Sequence, residues 1–313
     1  MKNYSRIFYY FVIGACGGLT GWFIGTLIST AWFTTPQTVF SQIVYGAILG
    51  GTIGLAVAAY DGIMNRSLPR FIKYGGIGLA LGAVGGALAL PLAQFSYAAL
   101  LSGGTGANDA AWQKILVGTF CWLLFGGLIG LGECISKGTQ SWKGLLGGLT
   151  GGLVGGLLYE LNRSFGPSNE PFRYQVFLAL SLLLLGAAIS AAITFVTTVL
   201  RRAWMEVLSG KLTGHPYDVT KYIDPKLGSL RAGVIGSDRW GAHIYLPGDD
   251  DVLPRHAEIH FRNGAPTITV SPEATKRATT FINGRRLMAT SPLSDGDELQ
   301  FGSTKLLYRQ KRR

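Results

Sequence analysis

Side chains that ionise, bind metal or act as nucleophiles are sparse in this chain of 313 residues, and few fall in a catalytic arrangement. The three cysteines, Cys16, Cys121 and Cys134, have no metal-ligand spacing. The histidines His215, His243, His256 and His260 pair with no cysteine or carboxylate at such spacing. Packing or solvated roles are expected for them, and for His256 a hydrogen-bonded structural role. The run Asp249-Asp250-Asp251 has the residue type of a Ca²⁺ site, but a short acidic run after Pro247-Gly248 is expected to be a solvated turn. No phosphate-binding glycine loop, nucleophile elbow or HExxH helix occurs. The expectation is a protein that is not an enzyme, with no cofactor and no metal.

The remaining ionisable groups of interest sit in an apolar setting. Asp61, Glu133 and Glu160 fall at the ends of long hydrophobic stretches. Intramembrane carboxylates are functional candidates, yet helix ends near water tolerate them, so solvated ends are the first expectation and a transport role the alternative. The charge distribution explains the setting. Of 28 Lys and Arg, ten precede residue 201 and eighteen lie from it onward; of 17 Asp and Glu, five precede it and twelve follow. Mean hydropathy is +0.30. An apolar first two-thirds therefore joins a polar last third near Arg201-Arg202, giving domains 1–202 and 203–313.

A bilayer core of about 30 Å needs roughly 20 apolar residues per helix. Six stretches qualify: Ile7–Ser29, Val39–Tyr60, Tyr74–Leu100, Ile115–Ile135, Gly144–Tyr159 and Tyr174–Leu200. The fifth contains GLLGGLTGGLVGG, with seven glycines in thirteen positions. In water each interior glycine costs up to about 1 kcal/mol of helix stability relative to alanine. In lipid the backbone must close its own hydrogen bonds, and small residues every fourth position let helix backbones touch. Gly144, Gly148, Gly152 and Gly156 form one such row, and Gly147, Gly151 and Gly155 another beside it. Both faces are expected to pack closely. Gly17-Gly18-Leu19-Thr20-Gly21 recurs as Gly147-Gly148-Leu149-Thr150-Gly151, and LGGTIGL (49–55), FGGLIGL (125–131) and LGAAISA (185–191) align in the even-numbered spans. The membrane part reads as three copies of one helical hairpin.

The positive-inside rule orients it. With a cytoplasmic N-terminus, the inner flanks carry Lys2, Arg6, Arg66, Arg70, Lys73, Lys137, Lys143, Arg201 and Arg202, against Lys114, Arg163 and Arg173 outside. Both termini are therefore expected in the cytoplasm, on an inner or cytoplasmic membrane whose reducing side suits free cysteines. The net charge of +11 is accounted for by contact with anionic lipid, so no nucleic-acid partner is expected; a homo-oligomer is allowed.

From Trp204 the pattern becomes short alternating runs: Trp204–Leu208, Val219–Ile223, Ala257–Phe261, Thr267–Val270, Thr280–Ile282, Glu298–Phe301 and Lys305–Tyr308. Ser209-Gly210, Asn263-Gly264, Asn283-Gly284 and Asp295-Gly296 punctuate them. Such turns between alternating runs are the strongest short hairpin signals, and predict an all-β sandwich. The segments VLSGKLTGHPYDV, VIGSDRWGAHIYLP, VLPRHAEI, TTFINGRRL and LSDGDELQFGSTKLLY, in this order, make the region resemble a forkhead-associated (FHA) domain. The resemblance implies a β-sandwich whose loops bind phosphothreonine peptides or partner domains. Carried over by position, Gly236, His256 and Gly284 fall at structural motif positions. Ser237, Arg239, Arg255, Thr279, Thr280 and Asn283 fall in the partner-binding loops. Ser237 stands where the family has its phosphate-binding arginine, Leu253 where it has a serine, and Ala278-Thr279 where it has asparagine-glycine. Arg239 or Arg255, with Arg277 and Arg285, are candidates to replace the missing charge. Phosphothreonine recognition and a phosphate-independent surface both stay open.

Two functions follow as expectations. The first is a membrane-anchored cytoplasmic adaptor that recruits a protein partner, threonine-phosphorylated or not. The second is a channel or transporter with an FHA-like regulatory domain, which requires a polar passage between the hairpins.

Overall fold

The computed structural model describes residues 3–32, 38–64, 67–102, 107–137, 141–165, 170–224, 232–262, 264–277 and 279–311. Lys2, Arg66, Asn263, Ala278 and Arg312-Arg313 lie outside these residues, as do the side chains of Asp61 and Lys137. The chain divides into two compact units, Asn3–Val199 and the segment from Leu200 onward.

The first unit is helical: α1 Asn3–Trp32, α2 Val39–Met64, α3 Leu68–Ser102, α4 Ala107–Lys137, α5 Ser141–Phe165 and α6 Pro171–Val199. All six are long and apolar enough to cross a membrane. Each extends beyond its apolar stretch in the sequence, because a helix continues through flanking polar residues until a cap or break intervenes. At α2 the cap is Thr38, whose Oγ1 accepts the Ser41 N–H at 3.2 Å while Ser41 Oγ donates to the Thr38 carbonyl at 2.7 Å. α3 runs unbroken through Pro91.

Each helix packs on its neighbours in sequence, and α6 closes on α1 to complete a ring. α2, α4 and α6 bury more of their surface than α1, α3 and α5. The glycines explain how closely the helices meet. Gly50, Gly126 and Gly186, which align in the sequence, face Gly82 of α3, Gly148 of α5 and Gly14 of α1. At each of these pairs a Cβ added to either residue would run into the carbonyl of its partner or of the residue beside it. The same seam thus occurs three times, between hairpins rather than within them. Both glycine rows of α5 are used. Gly144, Gly148, Gly152 and Gly156 face α4, and Gly147, Gly151 and Gly155 face Ile193, Ile189 and Leu185 of α6. Leu49, Ile53, Phe125, Ile129, Leu185 and Ile189, none more than 1% exposed, fill the interior as one apolar cluster.

The carboxylates differ from the expectation of solvated helix ends. Glu133 and Glu160 are both buried. Glu160 accepts the Trp122 indole N–H at 3.1 Å and lies 3.7 Å from the half-exposed Arg163 guanidinium. Trp122 and Tyr159 meet edge-on at 4.8 Å. Sequence position placed Glu160 at the end of a span, but the fold leaves it only 3% exposed.

The second unit is a sandwich of two sheets. The strands are β1 Ala203–Val207, β2 Pro216–Asp218, β3 Gly233–Gly236, β4 Ile244–Tyr245, β5 Ala257–Arg262, β6 Ala265–Val270, β7 Thr280–Ile282, β8 Arg285–Arg286, β9 Thr290–Pro292, β10 Glu298–Phe301 and β11 Thr304–Gln310. One sheet has the order β2-β1-β11-β10-β7-β8 and the other β4-β3-β5-β6-β9. Alternation sets the faces: Ala203, Met205 and Val207 of β1 point into the core with Leu306 and Tyr308 of β11, against Ile235, Ile259 and Ile268 of the opposite sheet. A short helix α7, Pro272–Arg277, links β6 to β7. Val219–Ile223, which alternates like a strand, instead forms a 3₁₀ turn over Thr220–Tyr222. The Asp218 carboxylate accepts the Thr220 N–H at 2.9 Å, and Thr220 Oγ1 accepts the N–H groups of Arg202 and Ala203. Local side-chain bonds win over the ladder there.

Candidate partner-binding loops

Three parts of the chain converge at one end of the sandwich: 237–243 after β3, 246–256 before β5, and Thr279 at the entry to β7. Gly236 ends β3 where a Cβ would strike the Pro254 carbonyl, so only glycine lets the first two approach. Ser237 then ties them together. Its N–H donates to the Leu253 carbonyl at 3.0 Å and its hydroxyl to the Val252 carbonyl at 2.8 Å. Leu253 turns its side chain into the sandwich core. Of the two substituted positions, one hydroxyl is therefore engaged by backbone and the other side chain faces away from solvent.

His256 holds the third part. It is fully buried; its Nδ1 accepts the Leu253 N–H at 3.2 Å, and its Nε2 lies 2.8 Å from Thr280 Oγ1. With Nδ1 accepting, the proton sits on Nε2 and Thr280 receives it. Burial, the largest cause, pushes the imidazole down to about 4, with Arg277 acting in the same direction and Asp249 and Asp251 opposing. The ring meets Phe301 edge-on at 5.3 Å. This histidine is a structural post that joins both sheets.

Around this post the exposed side chains include Arg239, Trp240, His243, Asp251 and Arg255. Arg239 and Trp240 form the apex of the first loop, with Trp240 57% exposed and its N–H held by the Asp238 carboxylate at 2.9 Å. Arg255 is exposed and pairs with Glu258 at 3.1 Å, an ion pair open to water and so of small energetic weight. Thr279 is half-buried and reaches the Asp251 carbonyl at 3.5 Å. Asn283 and Gly284 stand apart from the other candidates, at the β7–β8 turn, with φ of 49° and 76°, the left-handed pair of a tight hairpin. The Asn283 amide nitrogen donates to Asp297 at 2.8 Å, and its oxygen accepts the Glu298 N–H at 2.9 Å, so both ends of the side chain serve the fold. Arg285 sits beside that turn, paired with Ile282, whereas Arg277 is near enough to act on His256.

Two residues escape sequence reasoning. Trp240 carried no signal beyond its neighbour Arg239. Asp249, expected in a solvated turn, instead catches the β10–β11 turn. Its Oδ2 accepts the N–H and hydroxyl of Ser303, both at 2.8 Å, and those of Thr304, both at 3.1 Å, while Oδ1 accepts the Asp251 N–H at 3.1 Å. Burial works to raise this carboxyl, but those hydrogen bonds outweigh it and hold it below the usual carboxylate range. No group of three metal-ligating side chains occurs among the described residues. Asp249→Ala is expected to lower the unfolding free energy of the β unit by about 2 kcal/mol at pH 7, since it strands several donors. Denaturant unfolding followed at β-unit tryptophans checks this.

Residues 233–302 match the family model of the FHA domain. A solved FHA domain from an analysis of phosphothreonine-dependent FHA domain interactions is 22% identical over 36% of this chain and 99% of its own, with a TM-score of 0.27. The FHA domain of the CT664 protein from Chlamydia trachomatis is 20% identical over 36% of this chain and 99% of its own, with a TM-score of 0.29. The FhaA FHA domain, solved in complex with the intracellular domain of Rv3910, is 19% identical over 34% and 99%, with a TM-score of 0.26. No curated protein matches the chain. Residues 233–302, in the part of the chain that follows the six apolar helices, carry an FHA domain.

Proposed function

We propose that this chain is a membrane-anchored adaptor, a binding protein rather than an enzyme, whose FHA domain recruits a protein partner on the cytoplasmic side. The six helices cross the membrane with both termini in the cytoplasm, as the flanking charges favour, and their outer faces contact lipid. The partner docks on the loops around His256, with Arg239 and Trp240 as its main contacts. FHA domains bind phosphorylated partners; here docking does not depend on phosphate. The observation that carries this is the corner itself, where the Ser237 hydroxyl is bonded to the Val252 carbonyl and Leu253 belongs to the core. A phosphate dianion calls for a bidentate guanidinium and free hydroxyl donors; no guanidinium stands at those positions, and the one hydroxyl there, of Ser237, is already donated to the Val252 carbonyl. The transport alternative requires a polar passage, whereas the interior of the helical unit is packed with leucine, isoleucine and phenylalanine.

The test is a peptide array in which each sequence is present with and without phosphothreonine, probed with the full chain in detergent. Wild type is expected to bind both forms of its best peptide within about threefold. Ser237→Arg, which supplies the missing guanidinium, is expected to favour the phosphorylated form by about tenfold. Trp240→Ala is expected to weaken the best peptide by about 2 kcal/mol, roughly 30-fold, as an exposed tryptophan anchor would. A wild-type preference for phosphothreonine above tenfold overturns the phosphate-independent reading.

A further inference from the structure

The exit from the last helix carries a second, separate feature. Val199 ends α6 and Ala203 begins β1, so Leu200, Arg201 and Arg202 alone lie between them, about 10 Å of extended chain. β1 pairs with β11 in a register that sets Trp204 opposite Arg309 and Ala203 opposite Gln310. One step further, the Lys311 N–H donates to the Arg202 carbonyl at 2.8 Å. Strand alternation then places Arg202, Trp204, Arg309 and Lys311 on the outward face of one corner. Arg202, Arg309 and Lys311 are exposed, and Trp204 is half-buried with the Arg201 guanidinium 4.4 Å from its ring centre. Charges over 100 residues apart in sequence are thus gathered at the point where the chain leaves the apolar helix. Two carboxylates share the corner, Asp218 accepting the Thr220 N–H and Asp295 the Gln310 N–H at 2.8 Å, and they offset only part of the charge of Arg201, Arg202, Arg309 and Lys311.

We propose that this corner is a binding site for the headgroups of anionic phospholipids in the leaflet where α6 ends. The occupant follows from the covalent chain: Arg202 comes three residues after the last residue of α6, about 10 Å of extended chain, which is comparable to the Debye length of about 8 Å over which headgroup charge acts. Each such charge gains from an anionic surface, and a tryptophan beside them is the side chain of the membrane–water interface. The proposal rests on α6 crossing a bilayer, and it is independent of what the FHA loops bind.

The test uses the full chain in detergent and counts retained lipid by native mass spectrometry. Phosphatidylglycerol and phosphatidylcholine are titrated in parallel. Wild type is expected to retain phosphatidylglycerol about tenfold more strongly, and the preference is expected to vanish when salt is raised to about 0.5 M, where screening is strong. The triple variant Arg202→Gln, Arg309→Gln, Lys311→Gln is expected to bring the preference below twofold while phosphatidylcholine retention stays unchanged. Arg255→Gln with Arg277→Gln, at the other charged surface, is expected to change nothing. A wild type without preference, or a triple variant that keeps it, overturns the proposal, and so does competition by inorganic phosphate at equal concentration. Loss of all lipid, phosphatidylcholine included, would instead strike the membrane reading of the helices.

Discussion

Gly82→Leu is expected to lower the stability of the helical unit by about 3 kcal/mol or more, the upper range for forcing extra atoms into a packed contact. Gly82 and Gly50 face each other so closely that a Cβ on either meets the other's carbonyl, and the Phe125 ring lies 3.0 Å from the Cβ position of Gly50. Nothing flexible lines the seam. Backbone cannot yield without separating α2 from α3, and both also pack on other helices of the ring. The contrast is Gly76, which lies in the same helix with nothing within 4 Å of its Cβ position. Gly76→Ala is expected to be neutral or stabilising by about 0.5–1 kcal/mol, because alanine is the better helix former. Titration of the full chain from mild detergent into SDS, followed by circular dichroism, measures both. If Gly82→Ala and Gly76→Ala unfold at the same SDS fraction, the seam does not hold the helices.

His256→Ala is expected to cost the β unit about 3–4 kcal/mol. It opens a cavity in the core and strands the Leu253 N–H and the Thr280 hydroxyl. The same residue predicts a pH window. Its ordinary value of 6.5 falls to about 4 in the folded state, so between those values the unfolded chain takes up more protons. The stability His256 contributes is fully present above about pH 6.5, falls as pH drops, and levels off below about pH 4, a loss of up to about 3 kcal/mol. Asp249, held below the usual carboxylate range, contributes above its ordinary 3.8 and loses that as the pH falls further, so the two windows follow one another. Urea unfolding of wild type and His256→Gln at pH 7, 5.5 and 4 separates them. The difference between the two proteins should shrink across that range. A constant difference would mean the imidazole is not kept neutral by the fold.

The sequence revealed the spans because hydropathy over 20 residues is a local property. It also revealed the two roles of the α5 glycines, since a four-residue spacing fixes which residues share a helix face. Which helix each face meets was beyond reach. That Gly186 would find Gly14, 172 positions earlier, depends on ring closure and on no local pattern. In the β unit the FHA motifs mark the loops, while the strands Pro216–Asp218, Gly233–Gly236, Ile244–Tyr245, Arg285–Arg286 and Thr290–Pro292 do not stand out in the sequence. They are too short for alternation to register. The candidate site was legible as positions and illegible as geometry. Leu253 could be named as a departure, but its inward turn and the bond from Ser237 to Val252 exist only once two loops meet. Asp249 shows the limit most clearly, because its partners Ser303 and Thr304 lie more than 50 residues away.

The closure of α6 on α1 bears on how the protein is made. If the helices cross a bilayer as proposed, α1 is made well before α6, and until α6 follows, Gly14 and Gly18 lack the helix that covers them. Gly147, Gly151 and Gly155 of α5 likewise lack it. Only the last span, through Leu182, Gly186 and Ser190 toward α1 and Leu185, Ile189 and Ile193 toward α5, covers both bare strips at once. A nascent chain interrupted before residue 171 would leave both glycine strips without the helix that covers them.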